Sequence, residues 1–292
     1  MVKRRKPVAA LLLSLLPGLG QIYNGQLTKG LAFVLFDLLF PVIFGLTGLA
    51  LNLSGLMIML VVATTFVVYR MADGYIVAKR LKDYELKAIN KWYVYLFYTL
   101  SLVGIRLFLD APTSTGIQTF KIPTPSMVPT LLQGDRVVAQ LNAYNKTLID
   151  YGDIVVFNSP EGGIWTFRVV GLPLDSIEII DGKVSVNGQL NEVKEGARYL
   201  SDGQEVIEFE EQLQNNKRIK TVRFKSNSFP DARTMAKKLI PENEYFLMGD
   251  NRDNAFDSRF IGTIKKEDIL GRVIYSYWGN TSDRINIDFR LQ

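Results

Sequence analysis

The segment KIPTPSMVPT, residues 121–130, holds a serine whose surroundings favour nucleophilic chemistry. Ser126 lies in a stretch, 123–129, in which three of seven residues are proline. Because proline fixes φ and donates no backbone hydrogen bond, this stretch is predicted to be extended and rigid. A serine hydroxyl becomes a nucleophile only when a base takes its proton. The chain contains no histidine, so a Ser-His-Asp triad is excluded and another group must act as the base.

The composition excludes several other kinds of site. The 292 residues include neither cysteine nor histidine, so disulfides, thiolate chemistry and the usual zinc ligands are absent. We therefore predict no metal and no other cofactor. The net charge is +5, but no long basic run with interleaved aromatic residues indicates a nucleic-acid partner. The prominent cations lie beside apolar segments, where they suit an anionic membrane face.

The N-terminal third, residues 1–91, is predicted to be a membrane region. Apolar segments at 31–51 and 56–78 are close to the length of about 20 residues that a helix needs to cross the hydrocarbon core. A further segment at 92–110 is predicted to cross and to lead into the rest of the chain. The alternative, core helices of a soluble protein, is disfavoured by the uninterrupted apolar faces and by the clustering of the segments.

Cations predict the orientation of these helices. The basic residues at 3–6 and the basic loop 79–91 are both expected to be cytoplasmic. With three crossings, both expectations hold only if the segment 8–23 does not cross. Its Pro17 and its glycines would break a spanning helix, so we predict a re-entrant or interfacial segment. The chain after Asp110 is then expected outside the cytoplasm.

The membrane region also carries polar features. Asp37, Arg70 and Asp73 are costly in lipid and could be functional, but we favour an interfacial or inter-helix pair with i, i+3 spacing for the last two. The stretch LLPGLGQIYNGQLTKG resembles the Pro-Gly-x-Gly-x-x-Tyr-x-Gly pattern of small multi-helix membrane modules. That resemblance implies no chemistry.

From residue 111 onward the pattern changes to β-structure. Short runs of β-branched and aromatic residues are bounded by Gly, Asp and Asn, and the tetrapeptides IDGK and VNGQ indicate tight turns. We predict one all-β antiparallel domain over 111–292, barrel-like and closed or partly closed, with an insertion at about 190–240. Within the insertion, ARTMAKKLI at 232–240 is predicted to form a short helix.

Four blocks identify a family. IPTPSMVPTLLQGD, YGDIVVFNSP, FRVVGLPLD and MGDNRDNAFDSRFIG follow a predicted transmembrane helix in this order, within roughly 94–278. The chain thereby resembles the bacterial type I signal peptidases. The resemblance implies an antiparallel β fold at the outer face of the bacterial cytoplasmic membrane. It also implies removal of signal peptides from exported preproteins by a serine and a lysine whose pKa is lowered by burial in an apolar site.

The resemblance assigns roles to residues of this chain. Ser126 corresponds to the nucleophile, and Thr124 to the hydroxyl residue that forms the oxyanion hole with the Ser126 backbone N–H. The implied pocket for the small residue before the cut in an Ala-x-Ala site is lined by Ile122, Pro123, Met127 and Leu131 and flanked by Phe120, Trp165 and Thr166. Ion pairs and turn hydrogen bonds behind the site are expected from Arg168, Asp250, Arg252, Asp253, Asp257 and Arg259.

The sequence departs from the family pattern at the base. The lysine position is Phe167, and the serine expected to bond that lysine is Ala255. Leu174 replaces a glycine in the same block. The first two changes belong together, since a buried lysine needs a partner for its N–H groups, whereas a phenyl ring packs well against an alanine methyl. This pattern indicates a repacked base site.

Other groups could take the serine proton. Arg168 is excluded because guanidinium does not deprotonate in proteins and its side chain points away from the face of residue 167. Lys121 lies five residues before Ser126. Asp253 or Asp257 could act as a weak base, because carboxyl groups in general are far weaker bases than amines. A lysine of the insertion, such as Lys217 or Lys220, could also fold over the site.

Two functions from different classes follow. One is a membrane-bound serine endopeptidase of the signal peptidase I type, with exported preproteins and the lipid bilayer as its partners. The other is a non-catalytic relative that binds signal-peptide ends or a partner protease through the same groove. The intact nucleophile, oxyanion threonine and pocket favour the enzyme. A cytosolic self-cleaving Ser/Lys repressor is excluded by the membrane segments and by the absence of a DNA-binding region.

Overall fold

The chain folds into two compact units, Met1–Gly116 and Ile117–Gln292. The first is helical and the second is built from antiparallel strands, which confirms the predicted order of apolar helices followed by an antiparallel β fold. The computed structural model describes residues 2–108, 115–141, 143–145, 147–201, 204–226 and 233–291.

Among the described residues of the first unit, two helices, α3 and α4, are long and apolar enough to cross a membrane. Helices α1 and α2 cover most of the segment 8–23 predicted as re-entrant or interfacial, although α1 begins one residue earlier, and their 7 and 5 residues are too few to span. Residues 109 and 110 of the third predicted crossing lie outside the described residues. The helices are α1 (Pro7–Leu13), α2 (Leu19–Tyr23), α3 (Leu27–Leu46), α4 (Leu53–Arg80) and α5 (Trp92–Phe108).

Glycines set the close packing of α1, α2 and α4. Gly18 begins α2 with a left-handed backbone, φ 71°, which a residue with a side chain rarely adopts. A Cβ on Gly20 would lie 1.9 Å from the Ser14 hydroxyl, and one on Gly74 would lie 2.4 Å from the same oxygen. The glycines of the Pro-Gly-x-Gly stretch and of α4 therefore allow three helix backbones to meet around one serine.

Charged side chains link α3 to α4. Arg70 pairs with Asp37, and Lys29 Nζ lies 2.6 Å from Asp73 Oδ1. Arg70 and Asp73 were expected to form an interfacial or inter-helix pair; the contacts are inter-helix, but each residue reaches a partner on α3 instead of the other. Gln21 of α2 donates to the Arg70 carbonyl at 2.9 Å and so connects the short helix to this network. Partners across helices satisfy charges that would be costly in lipid.

The two basic segments of the first unit lie side by side. Strand β1 (Val2–Lys3) pairs antiparallel with β2 (Tyr84–Glu85), which follows α4. Arg5 is buried between two tyrosine rings, with its guanidinium carbon 4.4 Å from the centroids of Tyr23 and Tyr84. Cation–π contacts and strand pairing thus hold the N-terminal residues against the loop after α4.

The described residues of the second unit form three antiparallel sheets. The largest has seven strands in the order β15-β14-β6-β5-β16-β4-β3, and within the described residues no pairing joins β15 to β3. Closure into a barrel is therefore not confirmed. Its strands are β3 (Ile117–Lys121), β4 (Arg136–Gln140), β5 (Ile154–Asn158), β6 (Ile164–Gly171), β14 (Glu244–Met248), β15 (Ile264–Lys265) and β16 (Ile269–Trp278).

Two smaller sheets complete this unit. The four-stranded sheet, order β13-β7-β8-β9, consists of β7 (Ser176–Ile180), β8 (Lys183–Val186), β9 (Gln189–Leu190) and β13 (Met235–Leu239). The three-stranded sheet consists of β10 (Glu192–Ser201), β11 (Gln204–Gln212) and β12 (Arg218–Phe224). The predicted insertion at 190–240 contains the three-stranded sheet and β13, while 202–203 and 227–232 lie outside the described residues.

The short helix predicted at 232–240 is wrong. Residues Met235–Leu239 form β13, which pairs antiparallel with β7. Backbone N–H and C=O groups along an open sheet edge need partners, and pairing with β7 supplies them. This tertiary gain overrides the helical preference of the alanine and lysines in the segment.

The main core lies around the seven-stranded sheet. Its buried members include Val155 and Phe157 of β5, Phe167 and Val169 of β6, and Leu247 of β14. Alternate residues of β6 thus enter one cluster, as the period of two in a strand requires. Helix α6 (Ser258–Ile261) follows β14 after a loop, and the Asp257 side chain caps it by accepting from the Arg259 N–H.

Candidate active site

A cleft of about 760 Å³ opens in the second unit beside Ser126. Its walls come from three segments: the end of β3 with the loop after it, the start of β6, and the loop that leads into α6. The described residues that line it are Phe120, Lys121, Ile122, Pro123, Thr124, Pro125, Ser126, Met127, Gly163, Ile164, Trp165, Thr166, Phe167, Asp253, Asn254, Ala255, Phe256 and Phe260.

Two hydroxyls face each other in the cleft. Ser126 lies in a single 3₁₀ turn, Pro125–Met127, and Thr124 precedes the turn in an extended conformation. The oxygens Thr124 Oγ1 and Ser126 Oγ are 2.9 Å apart, within hydrogen-bond distance. Proline at the first position of the turn fixes the backbone between them, so their separation is set by local sequence.

A second loop holds the serine turn in place. The Asn251 backbone N–H donates to the Ser126 carbonyl at 3.0 Å, and the Asn251 side-chain amide donates to the Pro125 carbonyl at 3.2 Å. On the other side, Met127 is buried in the core and accepts from the Leu131 N–H at 2.9 Å. The backbone on both sides of Ser126 is therefore held by hydrogen bonds, from Asn251 on one side and from Leu131 on the other.

The wall next to the serine is apolar. Phe167 is 4% exposed, and its ring centroid lies 5.9 Å from that of Phe157 and 6.0 Å from that of Trp165. Ala255 belongs to the same core cluster. A Cβ built on Gly249 would lie 2.3 Å from the Ala255 methyl, 3.5 Å from the Phe167 ring and 2.5 Å from the Ser126 carbonyl oxygen. The Ala255 methyl, the Phe167 ring and the Ser126 carbonyl oxygen therefore lie close together around Gly249.

Two ionisable side chains line the cleft, Lys121 and Asp253. Asp253 accepts from Arg233 at both carboxylate oxygens, with a shortest distance of 2.6 Å, and from the Phe224 N–H at 2.9 Å. Its oxygens are thus occupied by a cation and a backbone amide. Lys121 is exposed and forms no ion pair with any residue that the structure describes.

The remaining candidate bases lie elsewhere. Asp257 pairs with Arg259 and accepts from the Gly249 N–H at 2.9 Å. Lys217 Nζ donates to the Tyr151 carbonyl at 3.1 Å, and Lys220 Nζ lies 2.9 Å from a Glu208 oxygen. None of these three groups lines the cleft.

A buried ion pair lies behind the serine loop. Arg168 is 1% exposed and donates from Nε and Nη2 to the two carboxylate oxygens of Asp250 at 2.8 and 2.7 Å. Arg168 Nη1 donates to the Gly152 carbonyl at 2.8 Å, and the Thr130 hydroxyl donates to Asp250. The bidentate pair fixes the strand that carries Phe167 to the loop that carries Asn251.

The structure brings most of the pocket residues named from sequence into the cleft. Phe120, Ile122, Pro123, Met127, Trp165 and Thr166 line it, whereas Leu131 is fully buried in the core below. Among the expected supporting residues, Arg252 lies 2.8 Å from Glu211 of the three-stranded sheet.

Sequence reasoning missed six other described residues of the cleft wall. These are Pro125, Gly163, Ile164, Asn254, Phe256 and Phe260. The Phe256 and Phe260 rings stack with their centroids 5.4 Å apart, and both are exposed. Their i, i+4 spacing directly after the charged block was the available signal.

Comparison with known proteins gives the family. The chain matches the family described as "Signal peptidase, peptidase S26" over residues 89–278. It is 30% identical over 228 residues to a signal peptidase I of Buchnera aphidicola, covering 61% of this chain and 71% of that protein. It is 29% identical over 195 residues to signal peptidase IB of Staphylococcus aureus strain COL, covering 66% of this chain and 91% of that protein.

A crystal structure of a signal peptidase I from Enterococcus faecalis is 22% identical, with a TM-score of 0.27, and the match covers 43% of this chain and 97% of that chain. The family match alone spans more than half of the sequence. The chain therefore belongs to the signal peptidase family of peptidases, S26.

Proposed function

We propose that the chain is a membrane-bound serine endopeptidase that removes signal peptides from exported preproteins at Ala-x-Ala-type sites. The observation that carries the proposal is the pair of hydroxyls, 2.9 Å apart, in the cleft of a chain that belongs to this peptidase family. Ser126 Oγ attacks the scissile carbonyl. The Ser126 N–H and the Thr124 hydroxyl stabilise the negative charge that develops on the carbonyl oxygen.

The cleft suits a small apolar residue before the cut. Ile122 and Met127 are buried beneath it, and the Phe167 ring closes its inner wall. Alanine-like side chains fill such a shallow apolar site without burying an unpaired polar group. The exposed rings of Phe256 and Phe260 extend the apolar surface beyond this point.

Lys121 is assigned as the base of this reaction. Of the two ionisable groups in the cleft, Asp253 is already bonded to Arg233, while Lys121 has no ionic partner among the described residues. The unprotonated amine accepts the proton of Ser126 Oγ, directly or through one water molecule.

The first unit anchors the protein in a bacterial cytoplasmic membrane. Helices α3, α4 and α5 each cross once, and α1 and α2 lie at the interface. The pairing of β1 with β2 supports this topology, since it puts both basic segments at one end of the unit, where a cytoplasmic location follows from their charge. The domains are the membrane region 1–91, the crossing 92–110 and the extracytoplasmic domain 111–292 with its insertion at about 190–240.

The orientation has a direct test, because the chain contains no cysteine. Single cysteines introduced as Lys82→Cys and Lys183→Cys are exposed reporters in the loop after α4 and in the β unit. In intact spheroplasts, a membrane-impermeant maleimide is expected to label the second variant and not the first. Labelling of the first alone would contradict the orientation.

The activity is tested with the purified full chain and a preprotein that carries one Ala-x-Ala site. We expect a single cut after the second alanine, loss of cutting in Ser126→Ala, and a fall of about 10²–10⁴-fold in Lys121→Met. Lys220→Met is the matched control, since it removes an exposed lysine outside the cleft and should leave cleavage unchanged.

The outcomes separate the claims. Full cleavage by Lys121→Met would refute the base assignment but not the peptidase. No cleavage by the starting protein, together with saturable binding of the signal peptide, would instead support a non-catalytic relative that binds signal-peptide ends.

A further inference from the structure

A cluster of buried arginines lies between the three-stranded sheet and the loop that holds the serine turn. Arg223 on β12 is 8% exposed, and Arg252 in the loop is 2% exposed. Glu211 on β11 is fully buried beside them. Guanidinium groups are rarely buried unless their charge and their N–H groups are matched by partners.

The hydrogen bonds of this cluster are incomplete. Glu211 Oε1 accepts from the Asn191 amide at 2.7 Å, and Glu211 Oε2 lies 2.8 Å from Arg252 Nη2 without the geometry of a hydrogen bond. All three side-chain nitrogens of Arg252, and Nε and Nη2 of Arg223, donate to no described residue. Five buried donors thus point into the protein without an acceptor.

The charges are also unmatched. Arg233 and Asp253 form a closed pair in which both carboxylate oxygens accept from the guanidinium. This leaves Glu211 as the carboxylate that Arg223 and Arg252 share. Burial, together with the positive charge of Arg252, lowers the pKa of Arg223 to about 10. Arg223 therefore stays protonated at neutral pH, and one buried positive charge lacks a counterion among the described residues.

We propose that Arg223 and Arg252 bind a small inorganic anion of the size of chloride. Water could accept hydrogen bonds from the free N–H groups but would leave the excess positive charge unbalanced. An anion would accept the same hydrogen bonds and also neutralise the charge. Gly182, with a left-handed φ of 74°, lies beside the Arg223 guanidinium, and a Cβ there would lie 3.1 Å from Arg223 Nη1. The ring of Phe209 covers Arg223 at 4.8 Å. Because both guanidinium groups are buried, a monatomic ion is favoured over a larger anion.

The site is bonded to the serine loop through backbone contacts. The Arg252 N–H donates to the Val222 carbonyl at 2.9 Å, and the Val222 N–H donates to the Asp250 carbonyl at 2.9 Å. Asn251, between these loop residues, holds the Ser126 carbonyl. Anion binding therefore fastens the three-stranded sheet to the segment that positions the nucleophile.

The test uses the full chain in detergent and does not depend on cleavage. Thermal unfolding is followed in sodium chloride and in sodium gluconate at equal ionic strength, since gluconate is too large for the site. We expect a higher melting temperature in chloride, because a ligand that binds only the folded state stabilises it. Arg223→Met should abolish this difference. Arg218→Met is the matched control, since it removes an exposed arginine of the same strand and should keep it.

Chloride NMR on the starting protein provides a second measurement that needs no variant. The ³⁵Cl line should broaden saturably with protein, and bromide should reverse the broadening by competition. Equal melting temperatures in the two salts, or broadening that does not saturate, would overturn the proposal. A chloride effect of the same size in Arg223→Met would also overturn it, because the ion would then bind elsewhere.

Discussion

Restoring an amine at residue 167 tests the assigned chemistry most directly. The double variant Phe167→Lys with Ala255→Ser puts an amine and a hydroxyl partner at two positions that already meet beside the Ser126 carbonyl. The serine hydroxyl would then have a base whose own N–H groups are bonded. A general base contributes about 10²–10⁴-fold. We expect kcat/KM to rise by about 10²-fold, the lower end of this range.

The variant also has a cost in stability. Phe167 is almost fully buried between two aromatic rings, and replacing such a phenylalanine by alanine costs about 3–5 kcal/mol. The alkyl stem of lysine keeps part of the apolar contact, so we expect a loss of about 2–4 kcal/mol. Proteins of this kind have about 5–15 kcal/mol of stability, so the variant should still fold.

The assay is single-turnover cleavage of the Ala-x-Ala preprotein over a range of pH. Phe167→Leu with Ala255→Ser is the matched control, because it removes the ring without adding an amine. A double variant that melts cooperatively yet cleaves no faster than this control would refute the reasoning, since the amine would then have no access to the serine.

Three further variants test the support of the site and of the helical unit. Asp250→Asn should lower the free energy of unfolding by about 3–5 kcal/mol in urea denaturation, because it strands a buried arginine; a loss below ~1 kcal/mol would contradict a structural role. Gly249→Ala should reduce kcat/KM by about 10–10²-fold, since its Cβ would come 2.5 Å from the serine carbonyl, and unchanged kinetics would show that the loop moves freely. Gly20→Ala should lower the melting temperature of the full chain, whereas Gly104→Ala, with open space around its Cβ, should not; equal effects would contradict the packing described.

The parts of the candidate site that are formed by residues close together in the chain could be predicted from the sequence. Thr124 and Ser126 are two residues apart, so their hydroxyl contact follows from the local proline-stiffened backbone. The long apolar helices were also predictable, because length and hydropathy alone identify them. The ends of these helices were not predictable from hydropathy. Helix α4 starts at residue 53, three residues before the predicted apolar segment, because the Asn52 side chain caps it by accepting from the Gly55 N–H.

Contacts between distant residues could not be derived from one sequence. Arg70 and Asp73 are close in sequence, yet each reaches a partner on α3, because helix packing brings those partners nearer in space. The pairing of Arg252 with Glu211 joins residues on different elements, and sequence spacing carries no information about it. The strand at Met235–Leu239 was missed for the same reason, since its partner β7 lies far upstream.

The pairing of β1 with β2 has a consequence for biosynthesis. Residues 2 and 3 are synthesised before their backbone partners, residues 84 and 85. The nascent chain must therefore complete both long helices before β1 can pair with β2. Slowing translation once residue 85 has left the ribosome should thus favour correct folding of this unit, whereas a pause before that point leaves β1 without its partner strand.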